Sequence, residues 1–332
     1  MARTKSRTSA APALTPEAVR KAYRDMLLAR TIDERQWVLN RAGKAPFVIP
    51  CRGHEAAQVG WGSALRPTDF LLPYYRDLGV MVARGYSARQ AMLALLGKAE
   101  DLTSGGRQMP GHYGWRERNV ITGSSPVGTQ VLHAAGIAYA SRLRGEDAVA
   151  AAALGEGTTS QGDFHEALNW ASIYKLPVLF IVENNEYAIS VPQSREMAVQ
   201  DVSERALGYG MAGVSVDGND FFACYEATFQ AAERGRRGEG PTLIEFKTYR
   251  TVPHSSDDDD RVYRSREEVE DWKQKDPITR MQAYVLAEGV LTKTEDEALW
   301  AEVKAEVDEA ITYAEQAPYP KVEDMFRHVY AE

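Results

Sequence analysis

The sequence predicts an α/β fold in which a parallel sheet is covered by helices on both faces. Short apolar runs have the length and composition of fully buried strands. Segments with helical apolar spacing lie between these runs, and this alternation of strand and helix is typical of parallel sheets. No linker or change of composition divides the 332 residues, so we expect one domain. The predicted strands cover residues 148–154, 178–182, 214–216 and 243–246.

The predicted helices begin at recognisable capping signals. Thr15 suits the N-cap of the first helix, and the Pro and Glu that follow it favour the first turn. Ser160 and Asp163 predict a capping box that begins a helix over residues 161–174. The other predicted helices cover residues 54–65, 88–96, 129–143 and 220–234, and Gly136 permits close packing of the third of these. A helical region follows Ser265, with a break at Pro277 and a last helix over residues 294–315. Polar loops are predicted over residues 101–114 and 249–264.

Composition and charge limit the classes of function. A net charge of −8 argues against a general nucleic-acid binder, and no apolar run is long enough to predict a membrane span. Cys51 and Cys224 form neither a disulfide framework nor a metal-binding spacing. We therefore expect a reducing compartment, which is the cytoplasm of a bacterium or the mitochondrial matrix of a eukaryote. We expect residues 1–14 to be a disordered tail and residues 15–332 to form a single catalytic domain with a helical C-terminal extension.

Between two of the predicted strands the chain has the residues needed to hold a magnesium diphosphate. Gly155 and Gly157 flank Glu156, and glycines allow a tight turn and close approach to a ligand. The helix that follows presents free N–H groups, which suit phosphate. Asn185 ends the next strand, at the edge where open parallel sheets bind ligands. Glu156, Asn185 and a backbone carbonyl near Tyr187 supply the oxygen ligands that magnesium requires.

A dinucleotide site is the alternative for this turn. Gly155 and Gly157 imitate the first half of a G-x-G-x-x-G motif, and Glu183 imitates the acid that binds the ribose. However, Ser160 stands at the third glycine position, and Glu183 falls 28 residues after Gly155 rather than about 20. An acid between the glycines would also face pyrophosphate without a metal. These departures favour the magnesium diphosphate.

The glycine–acid–glycine turn, followed after 26 residues by Asn184 and Asn185, resembles the thiamine diphosphate signature. From about Leu27 onward, the chain resembles the alpha subunit of the branched-chain 2-oxoacid dehydrogenase first component. Glu156 agrees with the branched-chain members, since the related pyruvate dehydrogenase alpha subunits usually have Asp there. The segments that carry the resemblance are residues 106–114 (GRQMPGHYG), 124–126 (SSP), 162–165 (GDFH), 184–190 (NNEYAIS), 248–250 (TYR) and 254–255 (HS).

The resemblance implies a set of cofactor contacts. Tyr75 and Arg76 match a family pair that contacts the cofactor, and an Arg fork suits a diphosphate. On its own, an arginine of this kind is more often a surface ion pair. The remaining cofactor-binding residues that the resemblance implies are Ser125, Pro126 and Val127 around the aminopyrimidine ring, Gly155, Glu156, Gly157 and Thr158 in the turn, Asn185, and His254.

The resemblance also implies two metal ions. Magnesium would be bound by Glu156, Asn185 and Tyr187. A potassium ion would be bound at residues 124–130, where the spacing alone indicates only a loop followed by a helix. The residues that match the potassium site are Ser124, Pro126, Thr129 and Gln130.

His254 matches the catalytic histidine of the family, which contacts the cofactor and assists proton transfer. Without the resemblance, a single histidine in a loop is usually just exposed. Pro253 stands where the family often has a second histidine. Ser255 and Ser265 fall where mitochondrial relatives are phosphorylated, and a phosphate beside the aspartates at 257–260 should disorder the loop. We expect most of these aspartates to be solvated.

The resemblance implies oxidative decarboxylation of a small 2-oxoacid and transfer of the acyl group to a lipoyl-bearing acyltransferase core. No segment matches the family's glutamate that bonds the aminopyrimidine, so we expect a separate beta subunit in an α2β2 heterotetramer. A pyruvate or acetoin dehydrogenase alpha subunit is the alternative, favoured by Glu183, where branched-chain members have Arg. Glu156 and residues 107–110 favour the branched-chain member. A non-catalytic diphosphate-binding subunit should lack His254 or the metal ligands, and an NAD-dependent oxidoreductase is the most distant alternative.

Overall fold

The structure is a computed structural model that describes residues 11–327, 329 and 330. Its centre is a parallel sheet of five strands in the order β1-β2-β3-β7-β6. A short antiparallel hairpin follows β3 at the sheet edge that carries the predicted site. The strands are β1 (Phe70–Leu72), β2 (Ala150–Gly155), β3 (Val178–Asn184), β6 (Ala212–Asp217) and β7 (Thr242–Lys247), and the hairpin consists of β4 (Tyr187–Ala188) and β5 (Val191–Pro192).

Helices cover both faces of the sheet, as predicted. One face packs against α5 and α6, and the other packs against α1, α2 and α7. The remaining helices extend the second layer, and no helix in the described ranges is long and apolar enough to cross a membrane. The helices are α1 (Pro16–Arg41), α2 (Glu55–Ala64), α3 (Leu78–Ala83), α4 (Ala88–Leu95), α5 (Thr129–Leu143), α6 (Gly162–Ile173), α7 (Phe221–Arg236), α8 (Arg266–Lys273), α9 (Pro277–Ala287) and α10 (Lys293–Gln316).

Alternate residues of β2 face opposite sides of the sheet. Ala150, Ala152 and Leu154 pack in the cluster that contains α5 and α6. Ala151 and Ala153 pack in the cluster that contains α1, α2 and α7. Because both faces are buried, the strand has a continuous apolar sequence rather than an alternating one. This pattern is the reason that the sequence predicts these strands correctly.

Two predictions about local structure are wrong. Ser160 does not cap a helix, because residues 156–160 form a 3-10 turn and α6 begins at Gly162. The N-cap of α6 is Gln161, which makes no side-chain capping bond. Gly136 is exposed, and a Cβ atom built on it meets nothing within 4 Å, so it does not serve close packing within this chain. Neither β1 nor α3 is predicted, since each is too short to show a period.

The N-terminal prediction falls partly outside the described residues, which begin at Ala11. The Ala11 N–H donates to the Glu226 carboxylate at 3.1 Å. Leu14 packs against the core, and the Thr15 side chain caps α1 as predicted, accepting from the Ala18 N–H at 3.2 Å. The segment 11–14 therefore contacts the domain.

A buried carboxylate near the end of β3 holds several elements together. Glu183 is fully buried, and its Oε2 accepts from His54 Nδ1 at 2.8 Å, Gln58 Nε2 at 2.9 Å and the Tyr74 hydroxyl at 3.1 Å. Its Oε1 accepts from Trp61 Nε1 at 3.2 Å. Burial alone would raise the pKa of Glu183, but the hydrogen bonds from His54 and Gln58 lower it, so the carboxylate stays charged.

We predict that Glu183→Gln lowers the free energy of unfolding by about 1–3 kcal/mol. The substitution replaces one carboxylate oxygen by an NH₂ group, which cannot accept hydrogen bonds, so buried donors around it lose their acceptor. Urea unfolding followed by circular dichroism measures the change. Glu288→Gln, on the exposed end of α9, is the matched control and should stay within about 0.5 kcal/mol of wild type. Equal stability of Glu183→Gln and the control would contradict the account of this network.

Candidate active site

The turn after β2 and the end of β3 meet at the predicted metal site. Glu156 is buried in the 3-10 turn, and its Oε2 accepts from the Asn185 backbone N–H at 3.0 Å. Asn185 is 5% exposed, and its side-chain Oδ1 is buried without a hydrogen-bond partner in the described chain. Burial raises the pKa of Glu156, and the bond from Asn185 works against that rise. These two residues present the oxygen atoms that a hard divalent cation requires.

The glycines of the turn have different roles from the ones that the sequence suggests. Gly155 has an extended backbone, and a Cβ built on it meets nothing within 4 Å, so open space lies in front of it. A Cβ on Gly157 would lie 2.7 Å from the Cβ of Ala188 and 3.2 Å from Oε1 of Glu196. Gly157 is therefore required because the hairpin after β3 packs directly onto the turn.

Arg76 and His254 lie together, although 178 residues separate them in the chain. Arg76 is 2% exposed, and its Nη1 donates to the Pro50 carbonyl at 2.5 Å. Its Nη2 lies 3.2 Å from His254 Nδ1, and its buried Nε has no partner in the described chain. The Tyr75 ring meets the His254 ring edge-on at 6.0 Å between centroids. The structure thus brings Tyr75, Arg76 and His254 together.

The histidine is neutral at physiological pH. Burial, followed by the positive charges of Arg76 and Arg250, lowers the pKa of His254 to about 3. Because Arg76 donates to Nδ1, the ring proton of neutral His254 resides on Nε2. An anion beside the two guanidinium groups would offset their charge and raise this pKa again.

Arg250 lies in the loop after β7, and the sequence analysis did not assign it to the site. It is 1% exposed, and its Nη2 donates to the Ile189 carbonyl at 2.7 Å. Its Nε and Nη1 are buried without partners in the described chain. A buried guanidinium with unpaired donors requires an anion. The only signal in the sequence was its place in the loop segment that resembles the family.

The loop that carries His254 is fixed by its own acidic residues. Asp258 accepts from the His254 backbone N–H at 2.8 Å, and Asp260 is buried and forms an ion pair with Arg264 at 2.6 Å. The expectation of a mostly solvated acidic run is therefore wrong for these two aspartates. Ser255 is buried in the same loop, and the Ser265 hydroxyl caps α8 by accepting from the Glu268 N–H at 3.1 Å.

The loop before α5 lies against the turn after β2. A Cβ on Gly128, which has a φ of +101°, would lie 3.5 Å from Cγ2 of Thr158. Ser125 is exposed on this loop, and its Oγ lies 2.5 Å from His112 Nε2. The contact of residues 125–127 with an aminopyrimidine ring stays a prediction.

The residues predicted to bind potassium are only partly brought together. The Thr129 hydroxyl donates to the Pro126 carbonyl at 3.3 Å, so two oxygen atoms converge. Gln130 is buried, and its amide donates to the Ala153 carbonyl of β2 at 2.9 Å. Ser124 lies on the same loop. The potassium site stays a prediction.

The structure places two further residues of the sequence analysis. The Tyr187 hydroxyl donates to the Glu268 carboxylate at 3.0 Å, so its side chain faces α8. A backbone carbonyl near Tyr187 as a metal ligand stays a prediction. Glu183 lies in the buried network described above, which does not include His254 or Glu156. Glu183 is therefore accounted for by its buried hydrogen bonds, and its bearing on a pyruvate-type enzyme stays a prediction.

Comparisons with known proteins show the family of this chain. The dehydrogenase E1 component family model matches residues 23–323. The chain is 54% identical to the 2-oxoisovalerate dehydrogenase subunit alpha of Bacillus subtilis, over 96% of this chain and 97% of that protein. It is 42% identical to the 3-methyl-2-oxobutanoate dehydrogenase subunit alpha of Mycobacterium tuberculosis, over 96% of this chain and 84% of the relative. The chain is 38% identical to the pyruvate dehydrogenase E1 component subunit alpha of B. subtilis, over 97% of this chain and 84% of that protein. The chain belongs to the dehydrogenase E1 component family.

We predict that Arg250→Met weakens binding of thiamine diphosphate by about 1.5–3 kcal/mol, because it removes donors to a charged group. Isothermal titration calorimetry in the presence of Mg²⁺ measures the effect. Arg237→Met, a partly exposed arginine that pairs with Glu239 at 2.6 Å, is the control and should bind as wild type does. The melting temperature of Arg250→Met without cofactor should not fall, since the guanidinium has no counter-ion there. Unchanged affinity would exclude Arg250 from the site.

Proposed function

We propose that this chain is the alpha subunit of a branched-chain 2-oxoacid dehydrogenase that acts on 2-oxoisovalerate (3-methyl-2-oxobutanoate) and related acids. The observation that carries the proposal is the convergence of two oxygen ligands, Glu156 and Asn185, with the buried arginines Arg76 and Arg250 beside His254. The similarity to named branched-chain alpha subunits supports the substrate class. We place the enzyme in the bacterial cytoplasm, where the buried free cysteines stay reduced.

The described residues fit a magnesium diphosphate because they include both oxygen atoms that can bind a cation and guanidinium donors that can bind an anion, without partners for these atoms in the described chain. Glu156, the Oδ1 of Asn185 and the backbone carbonyl of Tyr187 would hold the Mg²⁺, and Arg76 and Arg250 would hold the diphosphate. When bound, thiamine diphosphate supplies an electron sink for the carbanion that decarboxylation leaves. A potassium ion beside Pro126 and Thr129 belongs to the same proposal and would order the loop before α5.

His254 holds a proton at Nε2, the ring nitrogen that Arg76 does not contact. Its Nδ1 is fixed by Arg76, and its backbone N–H is fixed by Asp258, so both the ring and the main chain are oriented. A positioned imidazole contributes to proton transfer during decarboxylation and acyl transfer. The burial of Arg76 and Arg250 keeps water away from the same region and strengthens their hold on an anion.

A second polypeptide completes the enzyme in this proposal. The beta subunit would supply the glutamate that bonds the aminopyrimidine, and the acyl group would pass to the lipoyl group of an acyltransferase core. An exposed apolar surface supports a protein partner. Trp170, Ile173 and Tyr174 at the end of α6 are 37%, 66% and 42% exposed, and Leu132 of α5 is 36% exposed. Contiguous exposed apolar groups mark interaction sites.

The substrate is tested by decarboxylation assays on the chain co-expressed with its beta subunit, with thiamine diphosphate and Mg²⁺. We expect kcat/KM for 2-oxoisovalerate and 2-oxoisocaproate to exceed the value for pyruvate by about 10–200-fold, which is the range that pocket shape provides. A preference for pyruvate would contradict the branched-chain assignment. Full activity of the alpha chain alone would contradict the proposed heterotetramer.

We predict that His254→Asn lowers kcat by about 10²–10⁴-fold, because it removes a positioned proton-transfer group. Titration calorimetry should show that thiamine diphosphate still binds, since Arg76, Arg250 and the metal ligands are intact. His133→Asn, on an exposed position of α5, is the matched control. A His254→Asn enzyme with wild-type kcat would show that this residue has no catalytic role.

A further inference from the structure

Glu196 is a buried carboxylate that the proposed mechanism does not use. It follows the hairpin after β3, and a 3-10 turn over Gln193–Arg195 fixes its main chain, with the Glu196 N–H donating to the Gln193 carbonyl at 2.9 Å. Both carboxylate oxygens are buried, and neither has a hydrogen-bond partner among the described residues. A carboxylate in this state is unfavourable unless something else satisfies it.

This carboxylate points at the diphosphate turn. A Cβ on Gly157 would lie 3.2 Å from its Oε1, so the glycine leaves room for it. The neighbouring Glu156 has the same charge, and burial followed by the charge of Glu156 raises the pKa of Glu196 to about 7. The nearby cation does not pair with it, because Arg205 Nη1 donates to the Thr159 carbonyl at 2.6 Å and to the Thr159 hydroxyl at 3.0 Å. The arrangement places two carboxyl groups close together, and neither forms an ion pair within the described residues.

Three groups near this turn therefore carry oxygen atoms that a cation can use. They are the Glu156 carboxylate, whose Oε2 accepts from the Asn185 N–H at 3.0 Å, the Oδ1 of Asn185 and the two carboxylate oxygens of Glu196. The Asn185 and Glu196 oxygens have no hydrogen-bond partner among the described residues. A divalent cation satisfies all of them, whereas a diphosphate alone would be repelled by the two carboxylates. Mg²⁺ keeps several of its waters when bound, and such waters donate to nearby carboxylates.

We propose that Glu196 is a positioning residue of the divalent-cation site, and that its carboxylate accepts hydrogen bonds from the waters of the cation that Glu156 and Asn185 bind. This inference rests on the proposed function, since it uses the same metal site. It adds a second acidic side chain that raises the affinity for the cation. Without the cation, the same carboxylate repels Glu156 and does not contribute to stability.

The test measures cation binding rather than turnover. Free Mn²⁺ is followed by electron paramagnetic resonance while it is titrated into the alpha chain co-purified with its beta subunit, with saturating thiamine diphosphate. We expect Glu196→Gln to raise the Kd for Mn²⁺ by about 10-fold or more, as loss of an outer-shell carboxylate does. Glu196→Asp, which keeps the charge, should recover most of the affinity. Glu288→Gln has the same change of charge at an exposed position of the chain and should bind as wild type does.

Thermal unfolding without cofactor or divalent cation separates this role from a structural one. We expect Glu196→Gln to melt at or above the wild-type temperature, because it removes like-charge repulsion, and to gain less from added Mg²⁺. A Glu196→Gln chain that melts below wild type without cation would overturn the inference in favour of a packing role. An unchanged Kd for Mn²⁺ would also overturn it, while leaving the proposed function intact. Failure of the wild type to bind Mn²⁺ would overturn both.

Discussion

The buried carboxylate of Glu183 is the interaction on which the geometry of the site depends. It joins β3 to α2 through His54, Gln58 and Trp61, and to the segment before α3 through Tyr74. Gln58 also donates to the Arg76 carbonyl at 3.1 Å, so Arg76 is attached to the same network. Asn185 lies two residues after Glu183, directly beyond the end of β3. A single charged group surrounded by donors thus links the strand end beside Asn185 to the segment that carries Arg76, and breaking such a buried network is strongly unfavourable.

The site contains buried polar and charged atoms without hydrogen-bond partners in the described chain, and their charges indicate the kind of ligand that fits. Buried groups are normally paired, yet Arg76, Arg250, Asn185 and Glu196 each have buried polar atoms without partners in the described chain. An anion alone would pair with the arginines and leave the oxygen atoms of Asn185 and Glu196 unpaired. A cation alone would pair with those oxygen atoms and leave the arginines unpaired. A metal diphosphate carries both charges and satisfies both sides. Burial, followed by the charges of Arg76 and Arg250, lowers the pKa of His254.

Much of the fold could be predicted because its signals are local. The buried strands appear as short apolar runs, and α5 was predicted with its observed bounds, Thr129–Leu143, from its Ala-rich sequence. The parallel sheet followed from the alternation of these elements. The prediction that Ser160 caps α6 is wrong, because its capping pattern arises by chance in the local sequence. The chain instead continues from β2 as a 3-10 turn under the hairpin. The roles of Glu183, Arg250 and Glu196 could not be found in this way, since they depend on contacts between distant segments. The resemblance implied the cofactor. The structure distinguishes these three residues from surface charges by the hydrogen bonds of the buried Glu183 and by the buried atoms of Arg250 and Glu196 that have no partner among the described residues.

The central claim is that the chain binds a diphosphate only together with a divalent cation. The most direct test is calorimetric titration of thiamine diphosphate into the alpha chain co-purified with its beta subunit, first with Mg²⁺ and then with excess chelator. The account predicts tight, stoichiometric binding with Mg²⁺ and an affinity lower by about 100-fold or more without it, since Glu156 then faces the diphosphate uncompensated. Equal affinity in both conditions would contradict the metal–diphosphate site, and so would the absence of binding in either.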